Sequence, residues 1–91
     1  MPDNLQPIPL GLIGVHSAID FVVSVGEAME PGDTTYQNDN FVYSPSVYID
    51  GLLITEQVRT DRRYISFDPS TRTITINNGG VNEGENVQIF Y

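Results

Sequence analysis

Asp50-Gly51 sits between two runs of β-favouring residues, Val47-Tyr48-Ile49 and Leu52-Leu53-Ile54. That arrangement predicts a tight hairpin. A two-residue type I′ turn needs φ > 0 at both central positions, and Asp followed by Gly tolerates this. With these residues as the turn, Ile49 faces Leu52, Tyr48 faces Leu53 and Val47 faces Ile54. One face of the ribbon then carries Val47, Ile49, Leu52 and Ile54, and the other carries Tyr48 and Leu53.

The rest of the chain repeats the strand signal. Between Ala18 and Val25, the residues Ile19, Phe21, Val23 and Val25 share one parity, with Asp20 and Ser24 on the other. Such alternation is the mark of a half-buried strand rather than a helix. A second ribbon is expected from Tyr64-Ile65-Ser66-Phe67 and Arg72-Thr73-Ile74-Thr75-Ile76, joined by Asp68-Pro69-Ser70-Thr71. A four-residue loop there pairs Ile65 with Ile74 and Ser66 with Thr73. Asn77-Asn78-Gly79-Gly80 breaks the chain, and Asn86 to Tyr91 alternates again with Val87, Ile89 and Tyr91 on one face. Residues 27–40 read as a long polar loop leading into a strand at Phe41-Val42-Tyr43, and its length marks it as a candidate functional loop. The expectation is an all-β fold, a small antiparallel β-sandwich or open barrel of six or seven strands over residues 16–91. Residues 1–15 would form an N-terminal arm or lid.

Composition narrows what such a domain can do. The 91 residues hold 12 Asp and Glu against 4 Arg, with no Lys and no Cys, for a formal net charge of −8. An acidic chain lacks the clustered cations that phosphate binding needs, so neither nucleic acid nor an anionic membrane surface is an expected partner. Without Cys there is no disulfide framework and no thiolate metal site. No basic leader precedes an apolar run, and no apolar run approaches the roughly 20 residues that span a bilayer as a helix.

The alternating strands carry apolar residues on both faces. Val22, Tyr48, Leu53 and Phe90 fall on the parity opposite the expected core, and so few elements cannot cover a second apolar face. Exposed apolar area of that kind marks a contact surface. The segment Leu5-Gln6-Pro7-Ile8-Pro9-Leu10-Gly11-Leu12-Ile13 adds to it, since two prolines bar it from a central strand. Leu10, Leu12, Ile13, Val22, Tyr48, Leu53 and Phe90 are therefore the candidate interface residues.

Constellations for chemistry are weak. His16, Ser17 and Asp20 supply the residue types of a hydrolytic triad, but nearness in sequence is not triad geometry, and no oxyanion-hole turn accompanies them. Glu83 and Glu85 flank Gly84 in a turn and read as a solvated rim rather than a glycosidase pair. Asp33 and Asp39 lie in a stretch rich in oxygen ligands that lacks the spacing of a calcium loop. Arg59, Arg62 and Arg63, around Asp61, read as ion-pair partners for the acidic surface. No catalytic residue, metal ligand or cofactor is assigned. Tyr36 and Tyr43 are the candidates for stacking on a glycan, because Tyr offers a large contact at low entropy cost.

The run Val47-Tyr48-Ile49-Asp50-Gly51-Leu52-Leu53, then Tyr64-Ile65-Ser66-Phe67, Thr73-Ile74-Thr75-Ile76 and Gly84-Glu85-Asn86-Val87-Gln88-Ile89-Phe90-Tyr91, resembles a small β-module of bacteriophage tail-fibre and other virion structural proteins. The resemblance covers residues 46–91. The Pro-Ala-Ala-Gly that usually leads into the module's last strand is replaced here by Val81-Asn82-Glu83-Gly84. The resemblance implies a structural or adhesive role, commonly in trimers, without catalysis. The function expected is that of a virion structural or accessory protein of fibre, tail or capsid-decoration type. Its partners would be further copies of itself, with a trimer favoured, and other virion proteins, and its location the virion, assembled in the host cytoplasm. The alternative is a carbohydrate-binding module for a host-surface glycan.

Overall fold

The computed structural model describes residues 17–91. Among these residues the chain is all-β, with seven strands in two antiparallel sheets. In chain order they are β1 (Ala18–Val22), β2 (Thr35–Gln37), β3 (Ser46–Ile49), β4 (Leu52–Ile54), β5 (Tyr64–Asp68), β6 (Thr73–Asn77) and β7 (Asn86–Phe90). One sheet has the order β1-β7-β3-β4 and the other β2-β6-β5. The expected sandwich or open barrel is therefore the observed fold class. Leu10, Leu12 and Ile13, with the arm they belong to, lie outside the described residues, as does His16.

The Asp50-Gly51 ribbon forms with the expected register, Ile49 opposite Leu52, Tyr48 opposite Leu53 and Val47 opposite Ile54. Asp50 and Gly51 have φ of 50° and 82°, as a type I′ turn requires. β7 completes the sheet by lying between β1 and β3. Two inward rungs result. Ile19, Ile89, Val47 and Ile54 line up across the four strands, and Phe21, Val87, Ile49 and Leu52 form the next rung. Across the second sheet, Tyr36, Ile74 and Phe67 form one inward rung, with Ile76 and Ile65 in the next.

Among the described residues, eleven buried apolar side chains make the core: Val23, Met29, Phe41, Val47, Ile49, Ile65, Ile74, Ile76, Val81, Val87 and Ile89. No polar or charged residue among those described is buried with them. Burying each large aliphatic side chain contributes about 1.5–3 kcal/mol.

Several expectations need correction. The second ribbon has a four-residue loop, but it spans residues 69–72, so Ile65 faces Ile76 and Phe67 faces Ile74. Asp68 belongs to the strand, and its carboxylate accepts from the Ser70 amide at 2.9 Å and the Ser70 hydroxyl at 2.7 Å. Arg72 takes the left-handed turn position at φ 55°. Residues 27–40 are not one polar loop. Met29 is fully buried and Thr35–Gln37 is a strand, paired to β6 so that Tyr36 faces Ile74. Phe41-Val42-Tyr43 is not a strand, and only Phe41 turns inward, while Val42 and Tyr43 are exposed. Val25, beyond the end of β1, is exposed, as is Leu52, which has the core parity but sits on an edge strand.

Two contacts close the ends. Gly80 runs so close to the backbone of Gly32 and Asp33 that a Cβ there would stand 2.5 Å from the Gly32 carbonyl oxygen. Backbone hydrogen bonds from Gly32 to Val81 (2.8 Å) and from Val81 to Asp33 (3.0 Å) hold the segments together. A further backbone bond, from Ile65 to Thr55 at 2.9 Å, ties the chain just past β4 to β5 in the other sheet.

Candidate functional site

The two sheets treat their outer faces differently. On the three-stranded sheet the outward rungs are Thr35, Thr75 and Ser66, then Gln37, Thr73 and Asp68. Apart from Tyr64, opposite Asn77, that face is polar and suited to water. On the four-stranded sheet the outward rungs are Ala18, Phe90 and Ser46, then Asp20, Gln88, Tyr48 and Leu53, with Val22 opposite Asn86. Val22 is 50% exposed and Leu53 52%. Tyr48 and Phe90 are half-buried against each other, edge to face, with ring centroids 5.6 Å apart. An edge-to-face pair stabilises by about 0.5–1.5 kcal/mol beyond its area. The four interface candidates on described strands therefore share one face.

Charge is nearly absent from this face. Its one carboxylate among the outward strand residues is Asp20, which accepts from Asn86 Nδ2 at 2.7 Å and Gln88 Nε2 at 3.3 Å. These bonds also hold the two amides in place. A face with few charges is what the centre of a protein–protein contact requires, because each unpaired carboxylate would have to be desolvated.

Along the β3 and β7 part of the face lies a groove of about 850 Å³. Its aromatic lining is Tyr43, Tyr48, Phe90 and Tyr91, with Gln88 and Ser46 among its polar groups and no charged side chain. The loop that supplies Tyr43 is placed by Phe41, which is buried and meets Tyr91 edge to face at 5.4 Å. Ser44, in the same loop, donates its hydroxyl hydrogen to Glu56. Alternation along the strands could not reveal this groove, since Tyr43 and Ser44 reach it from an irregular segment.

The other candidates fall apart spatially. Tyr36 is no stacking platform: its ring lies 6.0 Å from both Phe21 and Phe41 in a line of aromatics against the core. Tyr43, at 83% exposed, is open to solvent, so the two tyrosines do not form one site. Asp20 is engaged with Asn86 and Gln88, and the Ser17 backbone pairs with Tyr91. Glu85 grips Arg63, and Asp33 caps the Glu30 amide at 2.9 Å. The Arg62 guanidinium pairs, among the described residues, with the exposed Asp61, at 3.4 Å. Among the described residues, no three His, Cys, Asp or Glu side chains gather as a metal site.

Fold and face together define a small antiparallel β-module with one polar and one partly apolar outer sheet face. Comparison of the chain with protein-family models, with curated proteins and with solved structures finds no match.

Proposed function

We propose that this protein is a non-catalytic assembly module, a virion structural or accessory protein that binds copies of itself and a larger particle through the outer face of its four-stranded sheet. The observation that carries the reading is the contrast between the two outer faces. Thr, Ser, Gln, Asn and Asp cover one, with Tyr64 as its one aromatic, while Val22, Leu53 and the Tyr48–Phe90 pair stand on the other. The same chain thus supplies its own control for what a solvated sheet face looks like here.

Charge favours the same surface. At a net charge of −8, copies repel one another except where carboxylates are scarce. The virion assignment itself draws on the resemblance of residues 46–91 to the phage β-module. Leu53→Asp tests the contact reading, because Leu53 is half exposed and lies outside the buried core. The variant should keep its β-sheet circular dichroism and melting temperature while its self-association is lost. A variant that associates as strongly as the parent would overturn the proposed face.

A further inference from the structure

We propose that the aromatic groove on the outer face receives the proline-containing run Leu5-Gln6-Pro7-Ile8-Pro9-Leu10 of a second copy of the chain. This rests on the assembly reading and names the element that joins the copies. Three observations carry it. The groove walls are Tyr43, Tyr48, Phe90 and Tyr91, and flat aromatic side chains are the usual lining for extended proline segments. Two prolines, with one residue between them, bias the run towards that extended shape before it binds, which lowers the ordering cost.

Charge gives the second argument. From Leu5 to Val15 the chain has no ionisable side chain, and no charged side chain lines the groove. In a molecule of net charge −8 this pairing brings two copies together with no charged side chain on either contacting surface.

Position gives the third. Ser17 pairs through its backbone with Tyr91, donating at 2.7 Å and accepting at 2.9 Å, and Tyr91 is a wall of the groove. Ser17, the first described residue, therefore stands beside one wall of the groove. At about 3.3 Å per residue, seven residues such as those between Leu10 and Ser17 span at most about 23 Å, a reach sufficient for a neighbouring copy.

The absence of cysteine makes the test clean. Asn4→Cys carries a single nitroxide label just before the run. Labelled full-length chain without isotope is mixed with ¹⁵N chain lacking the cysteine. Amide signals of Tyr43, Tyr48, Gln88 and Phe90 in the ¹⁵N chain should lose most of their intensity, and Pro7→Ser with Pro9→Ser in the labelled chain should restore them. Intensity loss seen only when label and isotope share one chain would overturn the proposal, because the run would then fill its own groove. So would a glycan-array signal that disappears in Tyr43→Ala, accompanied by no broadening. Light scattering on the same samples separates the two ideas: association without broadening overturns the arm, and a monomer overturns both.

Discussion

Arg63 holds Glu85 with two parallel hydrogen bonds, Nη1 to Oε1 at 2.9 Å and Nη2 to Oε2 at 2.8 Å, with both side chains mostly shielded from water. Nη1 also donates to the Gly80 carbonyl at 3.0 Å, and Glu85 accepts from the Asn82 amide at 2.8 Å. One guanidinium thus fastens the segment before β5 to the segment before β7. The bonds from Arg63, ahead of those from Asn82, hold the Glu85 carboxyl below its ordinary range, and Arg63 is correspondingly raised.

A lowered carboxyl pKa has a definite sign in stability. The unfolded chain binds the Glu85 proton at higher pH than the folded one, so the contribution is whole above the unfolded value of about 4.3 and is lost as pH falls through the folded value. Thermal melts should therefore drop more steeply below about pH 4.3 in the parent than in Glu85→Gln. At neutral pH, Arg63→Ala should cost about 1–3 kcal/mol, since it strands a partly buried carboxylate. Equal acid sensitivity in parent and Glu85→Gln would remove this pair from the account.

Gly51 tests the first turn. Its φ is 82° and a Cβ there would meet nothing within 4 Å, so any penalty is backbone strain alone. Gly51→Val should cost on the order of 1–3 kcal/mol, and Gly51→Asn much less, because Asn enters the left-handed region readily. Matching melting temperatures for the two variants would contradict this.

Gly80 makes the opposite case, one of space. A methyl group would press on the Gly32 and Asp33 carbonyls, both belonging to backbone that cannot swing aside. Gly80→Ala should destabilise by about 1–3 kcal/mol through overpacking, visible as a lower denaturant midpoint with an unchanged slope. An unaltered midpoint would mean that the loop segments joined at Gly32 and Val81 are looser than the structure places them.

How far the sequence speaks depends on how local the cause is. The Asp50-Gly51 ribbon could be read to its exact partners because turn chemistry and alternation are both local and agree. The second ribbon kept its faces but slid by two residues, since a two-residue shift leaves parity intact and only the choice of turn distinguishes the registers. Asp68 serves as strand end and cap at once, and a left-handed Arg72 has no signal in sequence. Met29 and Tyr36 are isolated apolar residues in a polar stretch, with no period to betray their burial. The outer face was visible as the wrong-parity residues Val22, Tyr48, Leu53 and Phe90. Its groove was not, because the loop carrying Tyr43 is placed by the contact of Phe41 with Tyr91, fifty positions along the chain.

The outer face is best tested on the unaltered protein by light scattering during size-exclusion chromatography, at micromolar concentration. The account predicts a mass that is a small whole multiple of the single chain, with three copies favoured. A sharp peak at the mass of one chain, unchanged as concentration rises, would contradict it.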